Sequence, residues 1–192
     1  MSRSLVLALL AALASGGAAA ALKPGDAAPA FRAPASLAGK GFDYSLADAL
    51  KKGPVVVYFY PSAFTQGCNV QAHTFAVNID RFAAAGASIV GVSLDSIERL
   101  NAFSADPNYC AGKLAVASDP DGSIARSYDL KVKDAVAGAK DTRGQQIEHG
   151  FAERTTFVVT PDGKVAATVG GVEPEANVEQ ALEAVRKVAV RH

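Results

Sequence analysis

Along the chain the spacing of apolar positions changes several times, and each change marks an element. Pro54-Val55-Val56-Val57-Tyr58-Phe59-Tyr60 is apolar on both faces and rich in β-branched and aromatic residues, the pattern of a central strand covered on both sides. Pro61 stops it. The period then switches. Ala72, Phe75, Ala76, Ile79, Phe82 and Ala83 recur at steps of three and four, which predicts one helix stripe closed by Ala85-Gly86. Ser88-Ile89-Val90-Gly91-Val92-Ser93 is a second buried strand. Strand, helix and strand in about forty residues make a βαβ unit, so the strands are expected to be parallel with a right-handed crossover.

Downstream the signals are shorter. Asp95 with Glu98 three residues on reads as a capping box, with Ile97, Leu100 and Phe103 on the inner face of its helix. Asp119-Pro120-Asp121-Gly122 reads as a turn and Ser123–Tyr128 as a short helix. Thr155–Thr160 reads as a strand, and Pro161-Asp162-Gly163 as a hairpin turn into Lys164–Val169. Glu173-Pro174-Glu175 opens a last helix with the stripe Val178, Ala181, Leu182, Val185 and Val188, and Arg186 and Lys187 stand near its end as the helix dipole favours. Ahead of the first strand, Lys23-Pro24-Gly25-Asp26, Pro29 and Pro34 suggest an irregular lead-in, and Ser45–Leu50 a short helix or turn. Residues 131–150 show no period. Their mixed charge and small apolar residues fit either a short helix at a subunit contact or a mobile flap. The pattern predicts one α/β domain over residues 22–192, with a mixed sheet that is parallel at its centre and ends in an antiparallel hairpin at one side.

The first twenty residues follow another logic. Arg3 precedes an unbroken apolar run, Leu5–Leu13, and small residues fill Ala14–Ala21. Basic start, short apolar core and small-residue end are the parts of a cleaved secretory signal, placed here at residues 1–20. The run is about half the roughly 20 residues a bilayer-spanning helix needs, so no membrane association is expected after cleavage. Cleavage removes only Arg3 among the charges and leaves one more acidic than basic residue. The expected location is outside the cytosol, the periplasm in a Gram-negative source, where two thiols can form and keep a disulfide.

Composition narrows the function. With 192 residues, 49% hydrophobic, 20% charged and no net charge, the chain is neither disordered nor equipped for nucleic acid. Two cysteines are too few for a disulfide scaffold or a four-thiolate zinc site. His73, His149 and His192 show no ligand spacing, so neither metal nor cofactor is expected. What remains is Cys68. It falls just beyond the first buried strand, in the first turn of the next helix, where free backbone N–H groups and the helix dipole favour a thiolate, the nucleophilic form.

The residues around it are specific. Pro61-Ser62-Ala63-Phe64-Thr65-Gln66-Gly67-Cys68 is P-x-x-x-T-x-x-C directly after a strand and resembles the reactive loop of the peroxiredoxins. The Val55–Tyr60 strand, Phe75 in the helix, the Ser118-Asp119-Pro120-Asp121-Gly122 turn and Arg154 with Thr155-Thr156-Phe157-Val158-Val159 match further motifs of that family in order. The resemblance spans roughly residues 22–190 and is closest to the bacterioferritin comigratory protein, or peroxiredoxin Q, group. It implies a thioredoxin-like fold. It implies an enzyme in which Cys68 attacks the O–O bond of hydrogen peroxide or an organic hydroperoxide and becomes a sulfenic acid. Thr65 would offer a hydroxyl that donates and accepts, Arg154 a fixed positive charge favouring thiolate and departing oxygen, and Pro61 a shield over the sulfur. Read singly, Pro61 is a strand stop, Thr65 a helix cap and Arg154 a surface charge.

The chain departs from the family pattern at three places. Members of this group often carry a resolving cysteine five residues after the first; here that position is His73. Glu is frequent three residues after the nucleophile; here it is Gln71. No Val-Cys-Pro segment follows Arg154. Some members of the family resolve from the region of the Asp95–Phe103 helix, so the resemblance makes Cys110, just after it, the resolving candidate, with a thioredoxin-like dithiol protein as reductant. A permanent Cys68–Cys110 bridge and a free Cys110 with an outside thiol are the alternatives. Two other functions compete: a thiol–disulfide oxidoreductase, which normally uses C-x-x-C where this chain has Thr65-Gln66-Gly67-Cys68, and a non-catalytic exported module held by a structural disulfide. A glutathione peroxidase would share the fold but is expected to need a Trp, and the chain has none. Monomer and homodimer are equally compatible.

Overall fold

The computed structural model describes residues 20–190. The leader expected at residues 1–20 therefore lies outside the described residues, save for Ala20.

In chain order the elements are β1 (Arg32–Leu37), β2 (Lys40–Ser45), α1 (Leu46–Leu50), β3 (Val55–Phe59), α2 (Gln66–Val77), α3 (Ile79–Ala84), β4 (Ser88–Ser93) and α4 (Ile97–Ala105). There follow β5 (Ala115–Ser118), α5 (Ser123–Ser127), β6 (Val132–Lys133), β7 (Phe151–Ala152), β8 (Thr155–Val159), β9 (Val165–Gly170) and α6 (Pro174–Ala189). Seven strands form one sheet in the order β2-β1-β5-β4-β3-β8-β9, and β6 pairs with β7 as a separate ribbon. The β3–β4 and β4–β5 pairs are parallel; all other pairs in the sheet are antiparallel.

The expected α/β architecture of the thioredoxin-like class is present: a mixed sheet flanked by helices. Alternate residues of β3 divide the interior. Val56, Tyr58 and Tyr60 face a core closed by α2, α3, α4 and α6, whereas Val55, Val57 and Phe59 face one closed by α1 and α5. All five residues of β3 are buried, as its unbroken apolar run requires. Gly91 of β4 lies opposite Tyr58, and a Cβ there would stand 2.5 Å from the Tyr58 ring. The glycine lets the ring lie across the sheet toward Phe75, 4.6 Å between centroids.

Four features differ from the sequence reading. The irregular lead-in contains a hairpin, β1–β2, so antiparallel strands flank the parallel centre on both sides. Ala38 (φ 51°) and Gly39 (φ 77°) supply the two left-handed residues of its tight turn. Pro34 is tolerated because the β5 ladder begins only at Ala35. The short strand β5 belongs to the parallel centre. The stripe from Ala72 to Ala83 is divided at Asn78, which leaves helical geometry (φ −99°, ψ 5°) while its side-chain amide donates to the Thr74 carbonyl. Finally, Asp95 does not cap α4. Ser96 does, its hydroxyl accepting from the Arg99 N–H, and Asp95 is buried instead.

Phe75 sits fully buried between Tyr58 and Phe82. Phe75→Ala should lower unfolding free energy by about 3–5 kcal/mol in chemical denaturation, the range for removing a core Phe.

Candidate active site

Cys68 is the third residue of α2 and is 1% exposed. The loop leading to it, residues 61–65, leaves the end of β3 next to β8, whose first residue follows Arg154. Adjacency of β3 and β8 thus carries Arg154 across 86 positions of sequence to the sulfur: its Nη2 donates to Cys68 Sγ at 3.3 Å. Gly67 permits the approach, since a Cβ there would stand 3.1 Å from Nη2.

The other half of the guanidinium is fixed from behind. Arg154 Nη1 donates to Gln71 Oε1 at 2.5 Å, and Gln71 Nε2 donates to Asn177 Oδ1 at 2.9 Å. Asn177 Oδ1 also accepts from the Thr156 hydroxyl, and Asn177 Nδ2 donates to the Val169 carbonyl. Gln71, Thr156 and Asn177 are all fully buried, so α2, α6 and the β8–β9 hairpin meet in a satisfied polar chain that ends on the sulfur. The residue that replaces the group's usual Glu is a neutral amide acting as acceptor on one side and donor on the other.

Thr65 occupies the N-cap position of α2, but its side chain caps nothing; its hydroxyl donates to the Ser62 carbonyl at 2.8 Å and closes the loop. Pro61 and Arg154 share the wall of a cleft of about 360 Å³ with Lys131, Lys133 and Phe151. Larger hollows beside β9 and α6 touch neither cysteine. Cys110 lies in the turns after α4, fully buried, in the same apolar cluster as Cys68, and both sulfurs are free. Burial, with some help from Asp106, pushes the Cys110 thiol well up. Tyr58 stands within electrostatic range of both sulfurs; its own pKa is raised chiefly by burial. His73, in the slot of the group's second cysteine, is exposed on α2. Its Nδ1 faces the Asn108 carbonyl at 3.0 Å and must donate, which ties α2 to the Cys110 segment.

The AhpC/TSA family model matches residues 24–168. This chain is a peroxiredoxin of that family. It is 35% identical over 157 residues to a putative peroxiredoxin of Mycobacterium tuberculosis, covering 82% of this chain and 90% of the relative. Among solved structures it superposes on peroxidoxin BcpB from Mycobacterium tuberculosis with a TM-score of 0.72 and 29% identity, covering 87% of this chain and 98% of the other. Xanthomonas campestris peroxiredoxin Q gives 0.64 and 30%, covering 81% and 90%. The likeness is thus to the Bcp and peroxiredoxin Q group of an oxidoreductase family of thiol peroxidases.

This peroxiredoxin supports its Cys68 loop with residues that the sequence did not single out for the site. The Asp95 carboxylate, wholly buried, accepts from the Ala63 N–H (2.7 Å), the Ser62 hydroxyl (2.9 Å), the Ser93 hydroxyl (2.7 Å) and His149 Nε2 (2.8 Å). Arg99 Nε adds a charge contact at 2.8 Å. His149 Nδ1 faces the Gly150 carbonyl at 2.7 Å. Both ring nitrogens therefore meet oxygens that only accept, which selects the imidazolium. Burial opposes charge on both partners, but their mutual hydrogen bond and attraction prevail: Asp95 is held below its usual 3.8 and His149 above its usual 6.5.

Phe64, between Ala63 and Thr65, has φ 62°, a left-handed conformation that costs a non-glycine residue on the order of 1–3 kcal/mol. Residues 139–147, part of the segment read as either a short helix or a mobile flap, hold it there. They form a loop around the isolated Lys140–Gln146 bridge rather than a helix, and lie beside the site. Thr142 donates to the Phe64 carbonyl through both its N–H (2.9 Å) and its hydroxyl (2.7 Å).

The signs of the two shifts set a pH dependence of stability. The raised His149 contributes stability that is complete below pH 6.5 and lost as pH climbs through its folded value; the lowered Asp95 contributes stability lost as pH falls below 3.8. His149→Gln should cost about 1.5–3 kcal/mol at pH 6, as for a hydrogen bond to a charged group, and should flatten the alkaline decline seen in thermal melts of the unsubstituted protein. An identical decline in the variant would show that another group causes it.

Proposed function

We propose that this peroxiredoxin reduces hydrogen peroxide and small organic hydroperoxides at Cys68. Cys110 resolves the product as an intramolecular disulfide, and a thioredoxin-like dithiol protein recycles it. The observation that carries the reading is the Arg154 guanidinium, 3.3 Å from a buried sulfur at the start of a helix.

In the first step the Cys68 thiolate attacks one peroxide oxygen in line with the O–O bond. The S–O bond forms, the O–O bond breaks, and the departing oxygen takes a proton and leaves as water or an alcohol. Arg154 and the backbone N–H groups at the start of α2 stabilise the negative charge passing from sulfur to that oxygen. The Thr65 hydroxyl, which donates to the Ser62 carbonyl, keeps its lone pairs to accept from a peroxide O–H. Pro61 presents no N–H to the cleft that leads to Arg154.

In the second step Cys110 sulfur attacks the sulfenic sulfur, the disulfide forms, and the hydroxyl leaves with a proton as water. Burial holds Cys110 as an unreactive thiol, so resolution requires its segment to open. Two electrons from a dithiol then restore both thiols, the donor becoming a disulfide. We also propose export directed by residues 1–20, on the strength of the basic, apolar and small-residue order of that segment. Amino-terminal sequencing of the secreted-fraction protein should find the cut within Ala18–Leu22.

Rapid mixing of the reduced protein with peroxide, read by intact mass, tests the chemistry. The unsubstituted protein should lose two hydrogens, Cys110→Ser should stop with one added oxygen, and Cys68→Ser should not react. Reaction of the unsubstituted protein no faster than a free thiol would overturn the peroxidase reading at Cys68. A disulfide already present before peroxide, and inert to dithiols, would overturn the resolving role.

A further inference from the structure

Cys68 and Cys110 are both buried and unbonded, and the resolving step proposed above has their segments open for the two sulfurs to meet. The structure contains a device placed to govern that movement. Thr142 spans the two stretches of chain on either side of Cys68: its hydroxyl donates to the Phe64 carbonyl at 2.7 Å and accepts from Asn69 Nδ2 at 3.4 Å. Its loop is folded around Asp141, whose buried carboxylate accepts from the Arg143 and Gln145 N–H groups and pairs with Arg143 and Arg99. Arg99 in turn donates to the Ala63 carbonyl at 2.9 Å, and the Arg143 guanidinium lies 3.2 Å over the Phe64 ring.

Phe64 also packs against Cys110's neighbour, Tyr109. Its ring meets Tyr109 edge-on at 5.8 Å and Phe103 at 5.0 Å. One strained residue is therefore held by the loop and packed against the Cys110 segment at the same time. Thr142 itself is exposed, so its own N–H and hydroxyl can turn to water when they release the Phe64 carbonyl.

We infer that residues 139–147 are a latch on the Cys68 loop, and that release of Phe64 opens the Cys68 and Cys110 segments together, with Asp141 and Thr142 as positioning residues that set the rate of the disulfide step. The inference rests on the resolving role of Cys110 given above.

The test combines two readouts on the reduced full-length domain: amide hydrogen exchange and rapid-quench intact mass after one equivalent of peroxide. Thr142→Ala keeps its N–H bond and is the mild variant; Asp141→Ala releases the whole loop; Thr142→Ser restores the hydroxyl. Exchange should rise by about tenfold in segments 61–69 and 106–112 of Asp141→Ala, less in Thr142→Ala, and stay unchanged in β3, β4 and α6. Disulfide formation should quicken in the same order, and Thr142→Ser should match the unsubstituted protein. Unchanged exchange at 61–69 in both alanine variants, or a rise spread over the whole chain, overturns the latch. If the unsubstituted protein forms no disulfide, the resolving role of Cys110 falls, and exchange alone then decides the latch.

Discussion

The site depends on one constraint: a fully buried sulfur has a guanidinium donor at hydrogen-bonding distance, in an interior that otherwise disfavours charge. Burial alone penalises the thiolate, as it does at Cys110, so a cation has to be built into the wall. The fold meets this by placing β8 beside β3, which brings the Arg154 fork to the first turn of α2. One Nη faces the sulfur and the other is held by Gln71, whose amide is held by Asn177. Gly67 leaves the space, and buried Thr156 and Asn177 leave no polar atom of that chain unmatched. Sheet order, helix register and polar core thus converge on a single donor–sulfur contact.

A second network serves the loop rather than the sulfur. His149, Asp95, Arg99 and Asp141 form a chain of contacts in that order beside residues 62–64, and together they satisfy the Ala63 N–H, the Ala63 carbonyl and the Ser62 hydroxyl. A loop with a left-handed phenylalanine would relax without such support. The two networks divide the work. The one through Arg154 places a guanidinium on the sulfur, and the one through Asp95 and Thr142 fixes the backbone of the loop that leads to it. The two cysteines, alike in sequence terms, differ by this arrangement: one has a cation at hydrogen-bonding distance and the other has only apolar packing and an acidic neighbour.

Much of this was legible in the sequence where the signal was local. β3 and β4 are continuous apolar runs and α6 a regular stripe, while Cys68 and Arg154 were paired only through the resemblance to peroxiredoxin motifs, and the fold brings them to 3.3 Å. Local signals also misled. Asp-x-x-Glu before an apolar run describes a helix cap, yet Asp95 turns inward because four donors converge on it, and Ser96 beside it is an adequate cap. Pro34 argued against a strand that exists because the neighbouring ladder starts one residue later. His149 and Thr142 act on partners 54 and 78 positions away, Asp95 and Phe64, and no periodicity or short motif marks such contacts. Residues whose role is set by tertiary distance alone were the ones the chain did not announce.

The most direct measurement is the second-order rate of the reduced protein with hydrogen peroxide by stopped flow, for the unsubstituted chain, Arg154→Gln and Arg154→Lys. A preorganised charged donor aimed at developing charge should be worth about 10²–10³ in rate, so Arg154→Gln should lose that much. Arg154→Lys should recover little of it, because a point charge cannot serve Cys68 and Gln71 at once. A folded Arg154→Gln protein reacting within about threefold of the unsubstituted one would contradict the central role given to the guanidinium–sulfur contact.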